Sequence, residues 1–438
     1  MAKINITSNM RCFNPDMEES YHRRYDENGV LHEDRILASE CDYHCEALHR
    51  SSTDNGRTWT EWVMEHKDAD SGRRGTVEGS EDGDQILGGF SAPITDPKTG
   101  CKVSTGSFSY YIKGHHVGYF AMAEQGEDLV RGHGYFRFTR PDGTEVTRML
   151  EFEEGGADYD PAKYRDPAYL DKNRCSAGDL RILPDGDLMF MVCPTMTICC
   201  KLAGVDVNSF FPSCPNLQVG LLVARAHWNE EKQDYDITYS NPIMFSDLQS
   251  SRGVMEPQLV FLPDGRWMIV IRGSNYVHEG WNTRISTAAP GFKWVTYSYD
   301  EGKTFLPLMP WHFDTREVVY SSASTSAFYR SPQNGRLYWI GNIVEPSMIH
   351  ANDPRFPIQI CEVNEELGCL IKDTLTIIDT VREGQYKVEL SNPNIVTNPE
   401  TKNLEIRITK ININDAEQGM GNPGDWYSEA WEYIIRFE

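Results

Sequence analysis

Glu256 and Arg272 are the two residues whose chemical types and spacing first indicate a functional site. They flank two apolar segments joined by Pro263-Asp264-Gly265, a combination that is typical of a tight turn between β-strands. Because the outer ends of an antiparallel hairpin lie side by side, a carboxylate and a guanidinium would be presented together there. Such a pair could face a ligand, or it could be an ion pair that closes the hairpin.

Hairpins of the same pattern recur along the chain. They span residues 178–190, 253–272, 325–339 and 391–406. Their turn prolines are Pro184, Pro263, Pro332 and Pro399. The repeat length is therefore roughly 65 to 80 residues. Helical periodicity is almost absent. A four-stranded unit with long loops fits this length, and 438 residues hold about six such units. The sequence therefore predicts an all-β protein, a six-bladed β-propeller with four-stranded antiparallel blades, as a single domain over residues 1–438.

A second element occurs twice. Residues 52–59 and 298–305 share the pattern Ser-x-Asp-x-Gly-x-Thr followed by an aromatic residue. Asp and Gly form the turn, the hydroxyls can tie it, and the aromatic ring packs under the blade. The pattern resembles the Asp box, or BNR repeat, of the sialidase (neuraminidase) superfamily of six-bladed propellers. The resemblance implies a carbohydrate-active enzyme. In that family these turns are structural and lie away from the active site, so we assign them no function.

The innermost strand of each propeller blade lines a central channel, and ligands usually bind at one mouth of it. We expect the residues that lead the repeated hairpins to gather there: Asp179, Glu256, Ser324 or Ser326, and Asn392 or Asn394. The first two blades would add Asp42 or His44, and His115 or His116. Three arginines are close by: Arg174, Arg272 and Arg355. This mouth suits a sugar, above all an acidic one, because carboxylates and hydroxyls pair with Arg, Asp and Asn.

The sialidase resemblance implies roles for some of these residues. In that family a Glu that begins a strand is followed sixteen residues later by an Arg that binds the substrate carboxylate, and Glu256 and Arg272 have this separation. The family's Glu pairs with a Tyr nucleophile that often precedes Ser, and Tyr320-Ser321 resembles that site. A phenol becomes a nucleophile when a carboxylate takes its proton, and a neutral phenol places no negative charge beside an anionic sugar.

Several features depart from the sialidase pattern. Arg272 and Tyr320 are one blade apart, whereas the family places the two residues about two blades apart. Met10-Arg11-Cys12-Phe13 does not match the motif that supplies the first arginine. Arg284 and Arg355 are candidates for the third arginine. The candidates for the acid/base aspartate are Asp42, Asp82 and Asp84.

We therefore predict a hydrolase that cleaves a terminal, acidic sugar from a glycan. The candidate catalytic residues are Glu256, Tyr320, Asp179 and His116. The candidate substrate-binding residues are Arg272, Arg355, Arg174, His44 and Asn392. Two alternatives stay open. A propeller polysaccharide lyase would remove a proton beside a uronate carboxylate with His and Tyr, a chemistry that His115-His116 would suit. The third possibility is a propeller that binds a glycan without catalysis.

Charge and hydropathy exclude several partners. The net charge of −23 argues against nucleic acid, whose phosphates require a basic face, and against anionic membranes. No apolar run approaches the ~20 residues that cross a bilayer. The first residues have no signal-peptide pattern, so we expect a cytoplasmic protein, or a secreted or periplasmic one if a leader has been removed.

The 11 cysteines are irregularly spaced and odd in number. Cys41 and Cys45, with His44 and His49 nearby, have the residue types of a zinc site, but no second cluster shows the usual ligand spacing. We expect free thiols in a reducing compartment and no metal site. Neither the hydrolase nor the lyase hypothesis requires a cofactor.

Overall fold

Antiparallel sheets follow one another along the chain and form the blades of a β-propeller. The computed structural model describes residues 4–40, 43–67, 74–76, 85–111, 130–153, 172–412 and 427–437. Within these residues there are six sheets, three of them four-stranded and three with one or two additional short strands. Neighbouring strands are mostly consecutive in sequence, as short turns require. The predicted six-bladed, antiparallel propeller is confirmed.

The first three blades follow chain order. Blade 1 contains β2 (Glu18–Tyr25), β3 (Leu31–Glu40), β4 (Tyr43–Ser52) and β5 (Val63–Lys67). Blade 2 contains β6 (Arg74–Thr76), β7 (Gln85–Phe90), β8 (Ile94–Thr95), β9 (Lys102–Tyr111), β10 (Val130–Thr139) and β11 (Glu145–Met149). Blade 3 contains β12 (Cys175–Ile182), β13 (Leu188–Pro194), β14 (Leu222–Asn229) and β15 (Asp234–Tyr239).

The other three blades include the four-stranded sheet that carries Glu256 and Arg272. Blade 4 contains β16 (Met255–Phe261), β17 (Trp267–Arg272), β18 (Lys293–Ser298) and β19 (Met309–Pro310). Blade 5 contains β20 (Ala327–Arg330), β21 (Leu337–Gly341), β22 (Ile358–Asn364), β23 (Cys369–Leu370) and β24 (Thr376–Asp379). Blade 6 contains β25 (Val388–Leu390), β26 (Asn394–Thr397), β27 (Leu404–Asn412), β28 (Tyr427–Phe437) and β1 (Ile4–Asn14).

The ring is closed by the first strand of the chain. β1 pairs with β28 from Ile4 opposite Phe437 to Asn14 opposite Ser428, so an N-terminal strand completes the C-terminal blade. Closure is therefore achieved by hydrogen bonds and side-chain contacts between the two ends of the chain. It also covers an edge of β28 that would otherwise expose unpaired backbone groups.

A buried carboxylate joins blade 1 to this closing strand. The side chain of Glu33 on β3 is 0% exposed and accepts hydrogen bonds from Arg11 on β1 (2.5 Å), Arg23 on β2 (2.7 Å) and Arg50 on β4 (2.8 Å). Burial alone would raise the pKa of Glu33, but the hydrogen bond from Arg11 and the charges of Arg23 and Arg11 lower it to about 2. The carboxylate is thus held in its charged form between two blades.

Apolar side chains of facing sheets fill the space between blades. Between blades 3 and 4, for example, Met189 and Met191 pack in one buried cluster with Ile269 and Trp294. Alternate residues of a strand point to opposite faces of its sheet, and both faces are covered in a ring of blades. This explains why β17 and β18 are buried along their whole length.

The strand register places the repeated turns on one side of the ring. Trp267, which follows the turn of the first hairpin of blade 4, pairs with Phe261 and with Ser298. Arg272, at the other end of β17, pairs with Met255 and Lys293. The turn at 298–305 therefore lies on the same side as Pro263-Asp264-Gly265, opposite the end that carries Arg272.

The two Ser-x-Asp-x-Gly-x-Thr turns form the same hydrogen bonds. In the first, Ser52 donates to Asp54 (2.8 Å) and Thr58 donates to Asp54 through its hydroxyl (2.6 Å). In the second, Ser298 and Thr304 donate to Asp300 at 2.8 and 2.7 Å. In both turns the aspartate oxygens accept hydrogen bonds from hydroxyl groups of the same turn, so the aspartate stabilises the turn itself.

Two short helices were not expected from the sequence. Met196–Ala203 (α1) begins at Thr195, whose hydroxyl accepts from the Ile198 N–H, and ends at Gly204 in the left-handed conformation. A shorter helix, Val207–Phe210 (α2), follows it. Among the described residues, no helix is long and apolar enough to span a bilayer.

Replacement of Glu33 by Gln is expected to destabilise the propeller by about 3–5 kcal/mol, because three guanidiniums would lose their buried counter-charge. Urea denaturation measures the change. The matched control is Glu400→Gln, which removes an exposed partner of Arg57 and should cost less than about 1 kcal/mol. The difference between wild type and Glu33→Gln should shrink as the pH falls from 4.5 towards about 2, since Glu33 is protonated there. Equal effects of the two substitutions would contradict this role.

Candidate functional site

Three inner strands share an irregularity at the same place. Two residues of β12 face one of β13 between the pairs at Gly178 and Arg181, and two residues of β16 face one of β17 between Met255 and Gln258. In blade 6, three residues between β25 and β26 face two of β27. Each inner strand therefore has one extra residue, a β-bulge.

The bulges hold non-glycine residues in the left-handed conformation. Asp179 has φ 54°, Glu256 has φ 48° and Asn392 has φ 57°. These conformations are uncommon for residues with a side chain and concentrate at functional sites. All three residues belong to the predicted site. The structure places them at equivalent positions of blades 3, 4 and 6: Asp179 within β12, Glu256 within β16, and Asn392 between β25 and β26.

Glu256 and Arg272 lie side by side, as the hairpin geometry predicted. Met255 pairs with Arg272, and Arg272 Nη1 donates to Glu256 Oε1 at 2.5 Å. Arg272 is only 6% exposed, whereas the Glu256 side chain is 33% exposed. Among the described residues, Glu256 Oε2 and Arg272 Nε have no hydrogen-bond partner. Buried polar atoms without partners are costly, so these two atoms are candidates for contact with a ligand.

Further cations surround Arg272 and form what we call the basic cluster, which consists of Arg252, Arg272, Lys293 and Arg355. All four side chains are buried. Burial lowers the pKa of Arg272; the charge of Glu256 opposes this, and the charges of Arg252 and Arg355 lower it further. Like charges this close are unfavourable in isolation, so their convergence indicates a place where negative charge is bound.

Asn352 joins two members of the basic cluster. Its Oδ1 atom accepts from Arg252 Nη1 at 2.9 Å and from Arg272 Nη2 at 3.2 Å. A third member, Arg355, donates to Glu389 Oε2 at 2.7 Å. Asn352 and Arg355 both belong to the connection between β21 and β22, so one loop of blade 5 contacts residues of blades 4 and 6.

Backbone hydrogen bonds fix this loop. The Ala351 N–H donates to Asn275 Oδ1 in blade 4 (2.9 Å), and the Ala351 carbonyl accepts from Ala323 (2.9 Å). The Arg355 carbonyl accepts from the N–H of Leu390 in blade 6 (2.9 Å). The side chains of Asn352 and Arg355 are therefore presented by a backbone anchored on both sides of the site.

Lys293 is the fourth member of the basic cluster and lies next to Arg272 on the neighbouring strand. It pairs with Arg272 across β17 and β18, is 1% exposed, and its ammonium donates to the Ser324 carbonyl. Burial and the charge of Arg272 lower the pKa of Lys293 to about 7; the carboxylate of Glu256 opposes this, and Arg355 adds to it. The charge of the basic cluster thus changes near neutral pH.

Tyr320 is placed differently from the expectation that it pairs with Glu256. It bridges to Phe292, and the two rings pack with centroids 5.3 Å apart. Phe292 directly precedes Lys293, and successive side chains of an extended chain point to opposite faces. The Tyr320 ring therefore lies on the face away from Lys293 and Arg272.

The other expected residues occupy several places. Asp179 accepts hydrogen bonds from both Nε (2.7 Å) and Nη2 (2.8 Å) of Arg181. Asn392 accepts from the Thr325 hydroxyl (2.6 Å) and lines a pocket between blades 6 and 1 together with Glu389. The structure brings Glu256, Arg272 and Arg355 together. Asn392 adjoins this group because it lines the same pocket as Glu389, which accepts a hydrogen bond from Arg355.

Arg174 and Arg284 lie outside the basic cluster. Arg174 lines another pocket, between blades 2 and 3, and donates to the Asn216 carbonyl at 3.3 Å. Arg284 donates its Nε to Asp247 at 2.9 Å. His44 lies on β4, but its side chain is not among those described. Residues outside the described ranges are Cys41, Asp42, Asp82, Asp84, His115 and His116. The cysteines whose side chains are described are free thiols.

Three residues of the site were not among the sequence candidates. Arg252 precedes β16 by three residues, and its position just before the strand of Glu256 is a signal that could have been used. Lys293 is the one charged residue of its strand, which is a weaker signal. Asn352 lies in a loop without periodicity, and no local pattern distinguishes it.

The fold and the site together define a six-bladed propeller with a buried basic cluster at one end of its inner strands. No family model and no curated protein matches the sequence. Among solved structures, a protein of unknown function from Dyadobacter fermentans aligns over 99% of both chains, with a TM-score of 0.51 and 14% identity. This likeness supports the propeller fold alone.

Two enzymes align less well. The NanB sialidase of Streptococcus pneumoniae covers 97% of this chain and 68% of its own, with a TM-score of 0.47 and 11% identity. The α-L-arabinofuranosidase Arb93A of Fusarium graminearum covers 98% of both chains, with a TM-score of 0.43 and 12% identity. At these scores and identities the similarity carries no argument about activity.

Replacement of Lys293 by Met is expected to change how stability depends on pH. The folded-state pKa of about 7 lies below the ordinary 10.5, so between these values the unfolded chain binds a proton that the folded chain does not. Over this interval the free energy of unfolding of the wild type should rise with pH relative to that of Lys293→Met. Denaturant titrations at several pH values measure it, and parallel profiles would contradict a lowered pKa.

Proposed function

We propose that this protein is a carbohydrate-active propeller hydrolase that acts on a terminal acidic sugar. The observation that carries the proposal is the convergence of Arg252, Arg272 and Arg355 beside Glu256 at one end of the inner strands. In a chain with a net charge of −23, a buried group of cations is a specific feature, and guanidiniums bind carboxylates through paired hydrogen bonds. The two sialidase-like turns are consistent with this class.

The arginines would hold the sugar carboxylate, and the pocket between blades 6 and 1 would receive hydroxyl groups. Asn392 and Ser391 line that pocket and can both donate and accept hydrogen bonds. Because Glu389 lines the pocket and accepts from Arg355, the two parts of the site adjoin. A ring that carries one carboxylate and several hydroxyls fits this division.

Glu256 and Asp179 would supply the two carboxylates that glycoside hydrolysis generally uses. They occupy equivalent bulges of neighbouring blades, and Arg181 links these blades by donating to the Leu259 carbonyl at 2.8 Å. The unpartnered Glu256 Oε2 is the oxygen that can act as base or nucleophile. Tyr320 has no role in this proposal, because its ring packs on Phe292.

Glu256→Gln is expected to lower the release of sugar from chromogenic acidic glycosides by at least about 100-fold, the usual scale of a lost acid/base group. Because Arg272 would lose its charged partner, the variant should also lose about 1–3 kcal/mol of stability, so activity is compared well below its unfolding temperature. Asp264→Asn is the matched control: it removes a carboxylate from the opposite end of the same hairpin and should leave turnover unchanged. An active Glu256→Gln protein would overturn the catalytic assignment.

A second candidate is an acidic-glycan binder without catalysis. It is favoured by the contact of Glu256 with Arg272 and by Asn392, a neutral residue at the blade 6 position equivalent to Glu256. Calorimetric binding of D-glucuronate without release of sugar from any glycoside would support it. Release of an unsaturated uronate from a uronic polymer would instead support the lyase.

A further inference from the structure

We propose that Asn352 is a positioning residue that sets the anion affinity of the basic cluster, because its amide oxygen aligns two guanidiniums without neutralising them. This inference rests on the proposed function, since it takes the basic cluster as the place where a sugar carboxylate binds. It assigns to Asn352 a task that its neighbours Arg252 and Arg272 cannot perform themselves, namely to hold two like charges at a fixed separation.

The geometry defines a shared acceptor. Asn352 Oδ1 lies 2.9 Å from Arg252 Nη1 and 3.2 Å from Arg272 Nη2, so one oxygen with two lone pairs serves both arginines. The preceding residue, Ala351, is held by Asn275, which is itself buried and donates to the Ala289 carbonyl at 2.5 Å. The acceptor is therefore attached to a rigid support.

The chemical type of the acceptor decides how much positive charge remains for a ligand. An aspartate could accept the same two hydrogen bonds, and charge-assisted bonds are the stronger kind. Arg272 already contacts the carboxylate of Glu256, and a second carboxylate would give the arginines an internal counter-ion that competes with any bound anion. A neutral amide holds the guanidiniums in place and adds no negative charge that would compete with the ligand.

This reasoning predicts changes of opposite sign in stability and binding. Asn352→Asp should raise the midpoint of thermal unfolding by about 1–3 °C, because it pairs buried charges, and should weaken the binding of D-glucuronate at least tenfold. Asn352→Leu, which has a similar size and no acceptor, should lower both. A residue that served only as a structural acceptor would give an aspartate variant with undiminished binding.

The experiment is isothermal titration calorimetry of the full chain with D-glucuronate, with D-glucose as the neutral counterpart and thermal unfolding measured in parallel. Asn28→Asp adds the same charge at an exposed turn on the opposite side of the ring and should bind as the wild type does. Weakened glucuronate binding by Asn352→Asp, together with a raised unfolding midpoint, supports the inference. Wild-type affinity in Asn352→Asp overturns it.

A wild type that does not bind glucuronate would count against the proposed function, and inorganic sulfate then tests the inference separately. If sulfate raises the unfolding midpoint of the wild type and of Asn28→Asp but not that of Asn352→Asp, the basic cluster binds anions and Asn352 sets its affinity. If sulfate acts equally on all three proteins, or on none, the inference is wrong.

Discussion

The pairing of β1 with β28 is the interaction on which the rest of the propeller depends. Every blade in a closed ring is packed between two neighbours, so the angle between any two blades is fixed only when the ring is complete. The closing strand joins the first residues of the chain to the last sheet, and Glu33 then ties that strand to blade 1 through Arg11. The basic cluster and its contacts draw on blades 4, 5 and 6, so their geometry depends on a contact far from them in sequence.

A second constraint, the bulge of the inner strands, explains why the candidate residues stand where they do. In a regular strand, successive side chains alternate between the two faces of the sheet, where neighbouring blades cover them. An extra residue in the left-handed conformation breaks this alternation and turns a side chain out of the packed layers. The repeat reproduces the position in three blades and the residue type varies: Asp179, Glu256 and Asn392. The fold fixes the position of these residues, and the residue type at each position determines which chemical group is presented there.

Features with a local cause could be predicted from the sequence. The hairpins follow from Pro, Asp and Gly in their turns, and the contact of Glu256 with Arg272 follows from hairpin register. Arg252 and Asn352 are a hundred residues apart and meet only through the packing of blade 5 on blade 4, which no short pattern records. Tyr320 illustrates the same limit, because the motif around it is local whereas the direction of its ring depends on Phe292. The helix α1 is short, and its signals are the caps Thr195 and Gly204.

Two groups of arginines in this protein show how the neighbouring acceptor determines what a cluster of charge can do. Around Glu33, three guanidiniums surround a fully buried carboxylate. Their charge is compensated by this carboxylate, and the ion pairs hold blade 1 to the closing strand. Around Asn352, Arg252 and Arg272 share an uncharged oxygen, and Arg272 also contacts the partly exposed carboxylate of Glu256. Buried ion pairs are costly to assemble and strongly resist the loss of one partner, which suits a structural joint. Cations aligned by an amide keep their field directed at whatever enters the site, which suits recognition of an anion. The same residue type thus serves stability at one position and, in the proposed function, anion binding at another, and the two positions differ in the acceptor.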